Sequence, residues 1–134
     1  MPTDTSHPNA QRIRDADAAF SRGDVAYLRE AYFAPDITWH FPGRNALAGQ
    51  YEGPDAVMAF FGRSMQLTQG SLHLEVEDVV ANDARAIAIV RVTAAREGRT
   101  LDDRSLQLFE FRDGKVAEVW TYPGDVYAQD AFYA

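Results

Sequence analysis

Cysteine is missing from all 134 residues, which excludes disulfide staples and thiolate zinc sites and leaves the redox compartment open. Cations are in short supply, 13 Lys and Arg against 20 Asp and Glu for a formal charge of -7, and they are scattered along the chain. A surface that grips nucleic acid or an anionic membrane draws its affinity from clustered Lys and Arg, so neither partner is expected. No apolar run approaches the roughly 20 residues that a membrane-spanning helix needs. Gly-x-Gly-x-x-Gly, Walker-type and Gly-x-Ser-x-Gly patterns are all missing, which leaves a nucleotide cofactor no cradle and a serine nucleophile no elbow. The three histidines, His7, His40 and His73, lack the i, i+4 spacing that organises a metal site, so neither metal nor cofactor is expected. The opening Met1 to Pro8 is polar, without the basic and apolar regions of a secretion signal. It reads as a flexible tail (1–8) ahead of one domain (9–134), in a protein expected to be cytoplasmic.

What the chain does have is apolar mass: 46% hydrophobic residues, enough for one core and too few for two. Asn9 is a candidate cap for a first helix carrying Ile13, Ala16 and Phe20, which Gly23 ends. Asp24 caps a second helix with Leu28, Ala31 and Tyr32 on one face, stopped by Pro35. Asp36 to Phe41 reads as a strand, Arg44 to Tyr51 as irregular, and Gly53-Pro54-Asp55 opens a third helix that ends near Gly70. Four strands follow, at Leu72 to Val80, Arg85 to Arg96, Thr100 to Arg112 and Lys115 to Tyr122. The turns between them, with Asp113-Gly114 the clearest, imply an antiparallel meander. The expected class is α+β, three helices packed on a curved, mainly antiparallel sheet. The segment from Asp125 to Ala134 holds Val126, Tyr127, Phe132 and Tyr133, and is expected to fold back over the domain.

Phe20-Ser21-Arg22-Gly23-Asp24, Trp39-His40-Phe41-Pro42-Gly43, Tyr51-Glu52-Gly53 with Val57 and Phe60-Phe61, and Phe111 through Trp120 together resemble the nuclear transport factor 2 superfamily. Within it the chain resembles the SnoaL-like and ketosteroid isomerase-like branch, over nearly its whole length. The resemblance implies a cone-shaped α+β barrel of the cystatin-like type, an apolar pocket in the cone, and homodimers through the outer sheet face. The superfamily holds isomerases, polyketide cyclases, epoxide hydrolases, dehydratases and non-catalytic binders, so membership alone does not choose an activity. The match of site residues is partial. His40 resembles the position of the steroid isomerases' catalytic aspartate, but Ala16 and Gln107 stand where those enzymes place a tyrosine and a protonated aspartate. Tyr122 stands where the epoxide hydrolases place the last carboxylate of their water-activating set.

His40 is the one titratable ring set among large hydrophobes, and imidazole changes charge near neutral pH. It is the candidate general base; the competing reading is a buried histidine satisfied by a backbone carbonyl. Alternation puts Asp103, Ser105, Gln107, Phe109 and Phe111 on one face of their strand, with Gln107 a candidate oxyanion donor and Asp103 a candidate partner for the imidazole. Glu118, Trp120 and Tyr122 form one face of the last strand, read as inward because large aromatics suit an apolar cavity. The expected pocket residues are Trp39, Phe41, Phe60, Phe109, Trp120 and Tyr122, each with core or dimer packing as its alternative. Two functions from different classes remain: a cofactor-independent isomerase or cyclase acting on a small apolar carbonyl compound, and a binding protein for a small apolar metabolite. A dimerisation module with a vestigial pocket is the third.

Overall fold

The structure is a computed structural model that describes residues 7–134. Helix α1 (Pro8–Ser21) begins with proline in its first turn, where a missing N–H costs nothing, and its cap is His7, whose Nδ1 accepts from the Asn9 N–H at 3.1 Å. Asn9 is therefore not the cap. Its buried amide donates instead to Asn82 O and Asp83 O, tying the helix to a distant turn. Pro8, expected in a flexible tail over 1–8, is helical, and residues 1–6 of that span lie outside the described residues. Helix α2 (Val25–Tyr32) is capped by Asp24, which accepts from Tyr27 N–H at 3.3 Å.

Strand β1 (Phe33–Phe41) starts three residues before the expected Asp36 and takes in Pro35. That proline is tolerated because the ladder with the neighbouring strand is irregular between Phe33 and Thr38, where no N–H is demanded. The stretch read as irregular contains a short strand, β2 (Gly49–Glu52), before α3 (Pro54–Leu67). The meander follows as β3 (His73–Ala81), β4 (Arg85–Arg96), β5 (Arg99–Arg112) and β6 (Lys115–Tyr122). Asp113 and Gly114 both have positive φ, 53° and 76°, the twisted two-residue turn that suits paired strands. A last helix, α4 (Val126–Phe132), is capped by Asp125 and buries Phe132 and Tyr133. The C-terminal segment thus folds back over the domain.

Six strands form one sheet in the order β2-β1-β6-β5-β4-β3, antiparallel throughout except for the parallel β1/β6 pair. Register shifts between Val76 and Asp78 and between Glu110 and Phe111 bend the sheet, as bulges do. The four helices and the concave face enclose the core, so the class is α+β with the curved sheet that the sequence implied. Phe61 sits at its centre, edge-on to Phe20 and Trp39 at 5.2 Å each and 6.1 Å from Phe33.

Candidate functional site

Helices and concave sheet do not fill the cone completely. Between them lies a cavity of about 120 Å³, walled mostly by carbon. On the sheet side Trp39 and Phe41 come from β1, Leu101, Asp103, Ser105, Gln107 and Phe109 from β5, and Val116 and Thr121 from β6. Period-two alternation explains the β1 and β5 sets, since every second side chain of a strand shares a face, while the register shift that skips Ala117 changes the phase of β6 between Val116 and Thr121. Ile13, Ala16, Asp17 and Phe20 line it from α1, and Phe60, Phe61 and Ser64 from α3. Gln129 and Tyr133 close one side from the C-terminal segment.

The sequence-derived site is divided by the sheet. Trp39, Phe41, Phe60, Phe109, Gln107 and Asp103 line the cavity, whereas His40, Trp120 and Tyr122 do not. His40 follows Trp39 and precedes Phe41 in an extended strand, so with those two inward its ring must point out. There it stacks on Trp120 (centroids 5.0 Å, planes 2° apart), and its Nε2 lies 3.4 Å from Glu118 Oε1. Tyr122, 52% exposed, shares this outer face. The inward side of β6 is Val116, Val119 and Thr121, the set opposite to the one the aromatics suggested. Asp103 is no partner of His40 either. Its Oδ2 accepts the N–H groups of Gly124 and Asp125 at 3.0 and 3.3 Å and so anchors the turn into α4.

That turn and helix are held from the other end as well. Asp130 Oδ1 accepts from Arg44 N–H at 2.9 Å and from the Asn45 amide at 2.7 Å, and Gln129 donates to Pro42 O at 3.2 Å. Gly43 makes the approach possible: its φ is +111°, and a Cβ there would lie 2.3 Å from Asp130 Oδ1.

Several cavity groups were not singled out from the sequence. Asp17 is foremost, a carboxylate on the inner side of α1 whose pKa burial pushes above the usual 3.8, with His73 nearby opposing part of the shift. A shallow surface depression lined by Arg14, His73 and Glu75 shares Asp17, Leu74 and Val76 with the cavity, so this carboxylate stands between cavity and solvent. The signal was present: Asp17 falls four residues after Ile13 and three before Phe20, a charge within the apolar stripe of α1. Tyr32 and Tyr133 also line the cavity. Burial first, and for Tyr32 the neighbouring Tyr27 next, pushes each phenol up to about 12, which keeps them neutral donors. Among the described residues no group of three His, Cys, Asp or Glu is placed to hold a metal ion, and no helix is long and apolar enough to cross a membrane.

A family model described as a SnoaL-like domain matches residues 13–119. An uncharacterized protein of Mycobacterium tuberculosis is 35% identical over 131 residues, 97% of this chain and 99% of its own length. Among solved structures, Bal32a, from a soil-derived mobile gene cassette, is 36% identical with a TM-score of 0.91, covering 98% of this chain and all of its own. A protein of the nuclear transport factor 2-like class from Burkholderia xenovorans is 26% identical with a TM-score of 0.81, covering 100% of this chain and 99% of its own.

Proposed function

The chain belongs to the SnoaL-like domain family, and from that premise we propose that it is a cofactor-independent enzyme of the isomerase or cyclase type. Its substrate is a small, mainly apolar molecule bearing an enolisable carbonyl. The observation that carries this reading is Asp17, a carboxylate of raised pKa facing an apolar cavity. A carboxylate whose pKa is raised holds an abstracted proton more readily than an ordinary one. In the proposed step, one Asp17 oxygen takes the proton from the carbon α to the carbonyl, the C–H pair becomes the enolate π bond, and charge moves to oxygen. Gln107, facing the cavity from mid-β5, donates its amide N–H to that oxygen. Return of the proton to the same or another carbon completes exchange or isomerisation.

The cavity sets the size of the test compound. An apolar cavity of about 150 Å³ accommodates benzene, so roughly one ring fits here. Acetophenone and cyclohexenones in D₂O, followed by NMR, are expected to lose their α-proton signals faster with the protein than in buffer. Binding without exchange across the whole set would overturn the enzyme and leave the metabolite-binding protein. His40→Gln is expected to leave any such exchange unchanged within about twofold, because the ring lies on the far side of the sheet.

The outer face supports a second part of the reading, a homodimer. Pairing aligns Ile87, Leu108, Trp120 and His40 in one row across four strands, with Leu106 opposite Tyr122 beside it. Ile87, Leu106 and Tyr122 are exposed at 37, 42 and 52%, a patch that a monomer rarely leaves bare. Light scattering at micromolar concentration is expected to return twice 14.9 kDa, and Leu106→Glu to return the single-chain mass. A monomer mass for the unmodified chain would refute the interface.

A further inference from the structure

Only two buried side-chain polar atoms among the described residues lack a hydrogen-bond partner, Trp39 Nε1 and Thr121 Oγ1. Both residues line the cavity, and they are 9 and 8% exposed. Leaving a buried donor unpaired is costly, and the great majority of such groups in folded proteins are satisfied. Two on one cavity wall are a shared feature that calls for one explanation. Strand register places them close together: Trp39 on β1 pairs with Val119 on β6, two residues before Thr121 on the same face, and Thr121 pairs with Gln107 on β5. Polar side chains from three adjacent strands, Trp39, Thr121 and Gln107, thus lie near one another in a wall that is mostly carbon.

We infer that Trp39 and Thr121 form an acceptor-reading subsite, which receives a carbonyl oxygen of a one-ring ketone from the indole N–H and the threonine hydroxyl. The indole nitrogen only donates, which decides the chemistry of the ligand: its polar group must accept, and an ammonium or a bare hydrocarbon leaves Nε1 unpaired. The threonine hydroxyl rotates to donate to the second lone pair of the bound ketone's oxygen, and the lone pair that enolate formation adds is the one that Gln107 meets in the step proposed above. Neither residue was identified from the sequence as a polar contact, since Trp39 reads as bulk and Thr121 as one alternating position of a strand. The inference rests on the cavity being a ligand site, as proposed above, but it does not require that Asp17 remove a proton.

The test uses the whole chain and a matched pair of probes, acetophenone and ethylbenzene, which share ring and size and differ chiefly in the oxygen. Calorimetric titration is expected to give acetophenone about 25-fold tighter binding than ethylbenzene in the unmodified protein, the ratio that two net hydrogen bonds supply. Thr121→Val and Trp39→Phe are each expected to weaken acetophenone by about 5-fold, the share of one hydrogen bond, while ethylbenzene holds within twofold. Thr121→Val carries a second readout: removing an unpaired buried hydroxyl is expected to raise the melting temperature of the ligand-free protein. Equal binding of the two probes to the unmodified protein, or a preference that survives both substitutions, would overturn the subsite. Preferential binding that is lost in the variants sustains it, even where no α-proton exchange is found and the enzyme reading fails.

Discussion

Asp17→Asn is expected to slow α-proton exchange by roughly 10²–10⁴, the usual contribution of a positioned general base, while the protein becomes more stable at neutral pH. The two effects have one cause. Burial makes ionisation of Asp17 unfavourable in the folded state, so its pKa lies above the unfolded value near 3.8. A folded state that holds its proton more tightly gains stability below the unfolded pKa and loses it as pH rises through the folded pKa. The asparagine variant lacks that loss, so its advantage is greatest at neutral pH and vanishes in acid. Activity runs the other way, since only the carboxylate accepts a proton: exchange by the unmodified protein rises with pH through the raised pKa. Melting curves at pH 4 and pH 7 beside exchange rates check both signs. An inactive variant that is also less stable at pH 7 would point to misfolding and sink the assignment; an active one would sink it directly.

Ending the chain at Gly124 is expected to cost roughly 3–6 kcal/mol, the burial of Phe132 and Tyr133 at about 1.5–3 kcal/mol each. Domains of this size are typically stable by about 5–15 kcal/mol, so the truncated chain stands near the limit of folding. Urea denaturation measures the change. Where the truncated chain does not fold, Phe132→Ala tests the same contact in the complete chain, with about 3–5 kcal/mol expected once the cavity left behind is included. An unchanged midpoint for both would show that α4 contributes nothing to the fold. The same truncation removes Gln129 and Tyr133 from the cavity wall, so a chain that still folds is expected to lose acetophenone binding.

Local chemistry made most of the fold readable. Asp24 ahead of an apolar face, Pro54 in a first turn and Asp113-Gly114 between alternating strands each constrain the backbone within a few residues. Strand faces are different, because a face is defined only relative to what the sheet covers. Along β5 the alternating set that holds Asp103, Gln107 and Phe109 meets the helices. Along β6 large aromatics pointed to the wrong side: Trp120 and Tyr122 lie on the convex face and smaller Val119 and Thr121 fit the crowded interior. His40 carried its own correction, since two neighbours read as pocket residues leave an extended strand only the opposite direction for the residue between them. Asp17 was legible in principle as a charge on an apolar stripe. What no strand pattern reveals is that Trp39 Nε1 and Thr121 Oγ1 lack partners, a property of the packed cavity wall alone.

The parallel pairing of β1 with β6 also governs when that cavity comes into existence. Thr38 meets Glu118 and His40 meets Trp120, eighty residues further along the chain, while the strands between them pair mostly with their immediate successors. Ribosomes add roughly 5–20 residues per second, so a nascent β1 waits on the order of several seconds for its central neighbour to be made. Through that interval Ile37, Trp39 and Phe41 have helices to lean on but no β6 beside them. Closing so long a loop costs entropy before the pairing repays it, which slows this step even in the finished chain. The cavity is thus complete only once β6 and α4 have been made, and a half-made chain exposes the aromatic wall that they later cover.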